Sequence, residues 1–220
     1  MNRLKCLFVD WHNTLSTSLF WGHLSNPSHA CHHFLEPITS TLFRNPNMYG
    51  ILLEPWMRGY LTSEEVINVI CQNTGLDFGT VLHELMLSCQ QMNFVSQEIP
   101  AYVSSIRAKG IKVVVATDNM DTFVRWTVPS LQLRDMFDDI LCSSEVKGLK
   151  SDIDEDGKSM FFANYLHDHH IEGGESLLLD DGEEEFGNII RRFGIAYQHI
   201  EPEMGLVPAL QTVITSLVYR

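Results

Sequence analysis

The stretch LKCLFVDWHNTL, residues 4–15, decides how the rest of the chain is read. Residues 4–9 are apolar apart from Lys5 and show no in–out alternation. A strand of that kind is covered on both faces, as the strands of a parallel sheet are. Asp10 follows at once, and the chain then turns polar through His12, Asn13 and Thr14. In an open parallel sheet, ligands gather beyond the carboxyl ends of the strands. A carboxylate at the end of the first strand is therefore a candidate reacting group.

Working outward, residues 112–116, 140–142 and 176–179 are further short apolar runs, with 196–200 as a fifth. Helical patterns separate most of them. Residues 101–109 are amphipathic and stop at Gly110, 122–128 stop at Pro129, and 183–193 stop at Gly194. Residues 158–167 carry Met160, Phe161, Phe162, Tyr165 and Leu166 at helical spacing. This alternation predicts an α/β fold built on a doubly wound, Rossmann-like parallel sheet. Residues 16–98 break the alternation. Thr62-Ser63-Glu64-Glu65 opens one helix, which Gly75 ends, and residues 80–89 form another. Residues 24–47 hold Pro27, Pro37 and Pro46 and read as loop-rich. The expected organisation is a core of residues 1–15 and 99–220 interrupted by a helical cap, residues 16–98.

Composition narrows the function classes. The 220 residues are 45% apolar and 20% charged, the balance of an ordinary globular chain. Twenty-eight acidic against 15 basic side chains give a net charge of −13, and the basic residues are scattered. Nucleic acid and anionic membrane surfaces are expected to be repelled. Five cysteines at wide spacings, with no C-x-x-C, predict free thiols and a reducing, cytoplasmic setting. Nothing in the composition speaks to the oligomeric state.

The groups beyond the strand ends share one chemistry. Asp10 follows the first strand, Thr117-Asp118-Asn119 the second, Ser143-Ser144-Glu145 with Lys147 and Lys150 the third, and Asp180-Asp181 the fourth. Carboxylates from two loops can hold one hard cation such as Mg²⁺, which offsets the charge of a phosphate that an acidic protein would repel. A carboxylate can attack phosphorus, while a lysine and a hydroxyl steady the transferring oxygens. In order and spacing, these four motifs resemble the haloacid-dehalogenase-like (HAD) superfamily, and the insertion after the first motif resembles its C1-type cap.

The resemblance implies Asp10 as nucleophile and metal ligand, the His12 main-chain carbonyl and Asp181 as further Mg²⁺ ligands, and Asp180 or Glu185 acting through water. It implies Thr117 and Lys150 as phosphate-binding groups, with Asp118 beside them and Lys147 as the alternative lysine. The substrate implied is a small phosphorylated metabolite.

One position departs from the family pattern. The second aspartate of the first motif, the general acid–base of the phosphatases, is His12 here. Three readings follow. His12 does the same work, since imidazole can give and take a proton near neutral pH, with Asp10 and Asp181 expected to raise its pKa. Alternatively, the chain runs dehalogenase-type substitution, in which halide leaves without an acid. Or catalysis is lost, leaving a module that binds a phospholigand or a protein. Elsewhere, His29 and His33 are four residues apart and could share a helical face as zinc ligands, although cap structure is the expected role. The run Asp152, Asp154, Asp156, Gly157 resembles the start of an EF-hand loop, but the twelfth position is Ala163, so a solvated acidic turn is expected.

Overall fold

The structure, a computed structural model, describes residues 3–44 and 46–218. Residues 1, 2, 45, 219 and 220, which fall within the segments delimited above, lie outside the described residues. Five strands form one sheet: β1 (Cys6–Val9), β2 (Lys112–Thr117), β3 (Asp139–Cys142), β4 (Ser176–Asp180) and β5 (Ala196–His199). Their order is β3-β2-β1-β4-β5 and every pairing is parallel. β1 is central, with Val9 level with Val115 on one side and Leu179 on the other.

The absence of alternation in β1 has its cause in the two layers that cover it. Leu7 and Val9 point into one apolar cluster together with Val113 and Val115. Cys6 and Phe8 point into a second, with Val114, Phe161, Phe162 and Tyr165. All four β1 side chains are buried, so each face of the strand is removed from water.

Seven longer or site-forming helices are labelled α1 (Ser63–Thr74), α2 (Phe78–Gln90), α3 (Ile99–Arg107), α4 (Ser143–Val146), α5 (Ala163–Asp168), α6 (Glu184–Arg192) and α7 (Leu206–Val218). The Thr62 signature is a complete capping box, with Glu65 reaching back to the Thr62 N–H, and Gly75 ends α1 at φ 72°.

The structure differs from the sequence reading in three segments. Residues 158–162 are not helical: Ile153 pairs with Ser159, and the Ser159 hydroxyl accepts the N–H groups of Phe161 and Phe162. Helical spacing of the aromatics fits a buried turn equally well, and the serine offers the backbone an alternative partner. The helix after β2 passes Pro129 through a π-type turn, Phe123–Thr127, followed by Val128–Ser130. Residues 24–44 are largely helical turns, including Leu35–Thr39. Pro37 sits in the first turn of that helix, where an N–H has no intrahelical acceptor to lose.

The insertion between β1 and β2 shares the sheet's own core. Trp21, Leu24, Ile38, Val66 and Leu85 belong to the same apolar cluster as Leu7 and Val113. Polar clamps add to this. Asp121, beyond β2, accepts from Trp56 Nε1 (2.8 Å) and Ser63 Oγ (2.5 Å) and pairs with Arg125 (2.8 Å), which also reaches Glu64. Arg58 pairs with Glu54 and with Asp152. Gly59, at φ +65°, lies where a Cβ would collide with the Ser144 carbonyl, so insertion and core meet backbone to backbone. Among the described residues all five cysteines are free thiols, and no helix is long and apolar enough to cross a membrane.

Candidate active site

β1 and β4 lie side by side, but the chain leaves β1 towards β2 and leaves β4 towards β5, on opposite sides. The crevice at that reversal is where an open sheet of this kind holds its ligand. Asp10 and Asp180 emerge there as neighbours. The Asp10 N–H donates to the Leu179 carbonyl at 2.9 Å, and the carbonyls of Asp10 and Trp11 accept from Leu15 and Ser16. The motif thus coils into a turn directly off the strand. Asn13 adopts φ 53°, a region asparagine tolerates, and its Nδ2 donates to Asp181 Oδ2 at 2.9 Å. The turns after β1 and β4 are tied together by that bond.

Lys150 lies between the carboxylates. Its Nζ is 2.5 Å from Asp180 Oδ2 and 3.0 Å from Asp10 Oδ1, and all three residues are buried. The Lys150 N–H donates to Asp118 Oδ1 at 2.9 Å. Lys147 points elsewhere, donating to the Gly59 carbonyl. Asp180 also accepts from the Gly182 N–H at 2.8 Å, and a Cβ at residue 182 would crowd the Phe186 ring. Oxygen atoms of Asp10, Asp180 and Asp181 lie within 4.8 Å of one another. Glu185 is exposed and is not part of that group.

Three carboxylates therefore face one ammonium. Burial raises the pKa of Asp10; Lys150 pulls it down, Asp180 and Asp181 push it up, and the outcome is about 8. Burial alone would lower Lys150, but Asp10, Asp180 and Asp118 outweigh it and hold the ammonium above its ordinary value. The Thr117 hydroxyl at the end of β2 is buried without a hydrogen-bond partner, as are the Thr14 hydroxyl and Trp11 Nε1 in the turn after β1. A free hydroxyl beside a charged crevice is a group that could meet a ligand. A hard divalent cation fits this donor set: the ligands are carboxylate oxygens, and its charge would relieve the repulsion that lifts Asp10.

His12 is exposed to a cavity of about 570 Å³ and forms part of its wall with Trp11 and Asp118. Its pKa is lowered, contrary to the expectation from its anionic neighbours. Desolvation by the surrounding walls is the largest cause, and Asp181 only partly offsets it. The remaining wall comes mostly from the insertion, whose contributing side chains lie on several separate turns.

Other sequence features are placed outside the site. His29 and His33 do not share a helical face. His29 instead turns with His23 towards Glu84, His23 Nε2 lying 2.7 Å and His29 Nε2 3.9 Å from Glu84 Oε2. His29 Nδ1 accepts the Cys31 N–H, which leaves its proton on Nε2, and His23 Nδ1 has no partner. Metal-bound imidazoles donate from the second nitrogen, so this is a histidine–carboxylate cluster. Asp152 is engaged by Arg58, and Asp154 Oδ1 accepts from Asp156 and Lys158, an acidic turn closed on its own backbone.

No family model and no curated protein matches the sequence. Solved structures do. A predicted HAD-like family hydrolase from Porphyromonas gingivalis aligns over 96% of this chain and 98% of its own, at TM-score 0.67 and 17% identity. The chain has the HAD-like fold. A HAD family enzyme from Bacteroides thetaiotaomicron, in complex with magnesium and inorganic phosphate, aligns over 90% of this chain and 95% of its own (TM-score 0.63, 17% identity). The L-2-haloacid dehalogenase from Xanthobacter autotrophicus, with chloropropionic acid covalently bound, aligns over 90% of this chain and 77% of its own (TM-score 0.61, 12% identity). A complex with magnesium and phosphate and a haloacid dehalogenase thus share the HAD-like fold, and the chemistry of this chain is argued from its own side chains.

Proposed function

We propose that the chain is a Mg²⁺-dependent phosphatase-type hydrolase that acts on a small phosphomonoester through an aspartyl-phosphate at Asp10. The observation that carries this reading is the pairing of Lys150 with both Asp10 and Asp180, with an Asp181 oxygen within 4.8 Å of theirs and the unpartnered Thr117 hydroxyl at the next strand end. The magnesium and phosphate held by the Bacteroides enzyme of the same fold support it.

Asp10, Asp180 and Asp181 would hold the cation, which when bound neutralises phosphate charge and draws Asp10 towards its ionised form. Lys150 and the Thr117 hydroxyl bind phosphoryl oxygens. An Asp10 carboxylate oxygen attacks phosphorus, the bond from phosphorus to the leaving oxygen breaks, and His12 as imidazolium gives that oxygen its proton. Neutral His12 then takes a proton from water, the hydroxide attacks phosphorus, and inorganic phosphate and Asp10 are released. The lowered pKa of His12 suits the second step; the arriving phosphate dianion favours the imidazolium needed in the first.

A second reading is displacement of halide from carbon by Asp10, favoured by the missing second aspartate and by the mostly apolar cavity wall. That chemistry gives no role to a three-carboxylate cation site.

The test is hydrolysis of p-nitrophenyl phosphate with Mg²⁺, with halide release from 2-chloropropionate assayed in parallel. Phosphate release should fall at least ~10³-fold in Asp10→Asn, the scale for loss of a nucleophile, and about 10²–10⁴-fold in His12→Ala. Halide release without phosphate release would select the second reading. Phosphatase activity appearing only in His12→Asp would mean that this chain is catalytically silent.

A further inference from the structure

The cavity beside the reacting aspartate is unlike a sugar-phosphate site. Leu19, Phe20, Leu35, Phe43, Leu53 and Met57 supply most of the wall from the insertion, and Met92 and Met120 add to it. Among the described residues no lysine or arginine lines it, and Asp118 is its carboxylate. The polar groups of the wall are largely committed to the protein's own backbone. The Ser18 hydroxyl accepts the Asn93 N–H, the Thr39 hydroxyl donates to the Leu35 carbonyl, and Asn119 Oδ1 accepts the Met120 N–H. A polyol or nucleoside placed here would bury hydroxyls without partners, and a second phosphate would face Asp118 with no cation to receive it. The methionines line a wall that can adapt to different apolar shapes. His12 belongs to the same wall and is two residues from Asp10, so the cavity opens on the side where a leaving group would extend.

We propose that this cavity takes the body of an uncharged apolar alcohol, and that the substrate is an alkyl or aryl phosphomonoester rather than a sugar phosphate or a nucleotide. The inference rests on the phosphatase reading of Asp10. It is tested with the full chain and Mg²⁺ on a series of n-alkyl phosphates, phenyl and naphthyl phosphate, hexose phosphates and nucleoside monophosphates. Each added methylene should raise kcat/KM about fourfold until the cavity is filled, the equivalent of ~0.8 kcal/mol per buried CH₂. Phe43→Arg and Leu19→Arg alter half-exposed and exposed wall positions, 50% and 61% accessible, and should flatten that dependence. Hexose phosphates or nucleotides turned over as well as the apolar esters would overturn the inference and leave the phosphatase reading standing. If no ester is hydrolysed, the phosphatase reading fails. The cavity is then judged by titrating n-alkylphosphonates against the fluorescence of Trp11, which lies in its wall. Affinity that climbs with chain length supports an apolar occupant; flat or absent binding overturns it.

Discussion

Asp10 and Asp121 are both carboxylates just beyond strands of the same sheet, and the protein treats them in opposite ways. Burial raises the pKa of each. At Asp121 the hydrogen bonds from Ser63, Arg125 and Trp56 overcome that push, and the carboxyl is held below its ordinary range. At Asp10 burial and two further carboxylates win over Lys150, and the carboxyl rises to about 8. Asp121 is satisfied in the protein as it stands and serves to join insertion to core. Asp10 has one ammonium, Lys150, which it shares with Asp180, and it stands amid like charge, a state that a cation would relieve. Electrostatic strain of this kind, set in a crevice, marks a working site, whereas a fully partnered carboxylate marks architecture.

The largest expected effect comes from breaking the strained side. Lys150→Met leaves Asp10 and Asp180 buried without their ammonium and should cost about 3–5 kcal/mol of stability in urea unfolding. Adding Asp180→Asn to that variant should restore part of the loss, since the carboxylate closest to the lost ammonium is then replaced by a neutral amide. Strictly additive losses would show that the two groups are not coupled as described.

On the satisfied side, Asp121→Asn should cost about 1–3 kcal/mol at pH 7 by removing a charged acceptor shared by three side-chain donors. The folded-state pKa of Asp121 lies below its unfolded value. Its contribution is therefore present above the unfolded pKa and lost as pH falls through the folded one. The gap between wild type and variant should close in acid, and a gap that persists at pH 2 would contradict the assignment.

The smallest effect sharpens the contrast. Because Asp10 without a cation is protonated below about 8, Mg²⁺ must displace its proton. Between pH 6 and 8 the apparent Mg²⁺ affinity should weaken by up to tenfold for each unit of acidification, with proton release visible by calorimetry in buffers of different ionisation enthalpy. Affinity that does not change with pH would mean that Asp10 does not bind the ion as a carboxylate.

The parts of the site readable from the sequence are those carried by single strand ends. Asp10, Thr117 and the Asp180-Asp181 pair each follow a buried apolar run, and the order of the runs places them on one edge of the sheet. The resemblance points to Lys150 over Lys147, and the turn at Lys147, with φ 64°, sends that side chain towards Gly59 instead. The role of Asp180 as an inward carboxylate depends on the glycine at 182 and on where Lys150 arrives. The lowered His12 pKa runs against its anionic sequence neighbours because desolvation, in a cavity walled largely by the distant insertion, outweighs them.

By itself, then, the sequence determined the parallel α/β core, the four chemistry-bearing strand ends and the presence of a helical insertion. These depend on local signals: apolar runs buried on both faces, capping residues, and a carboxylate directly after a strand. Tertiary structure alone decided which lysine meets Asp10, which carboxylates share a potential cation and what kind of surface lies in front of them. Those properties arise between segments tens of residues apart, where burial and charge act through distance in space and leave no period or spacing in the chain.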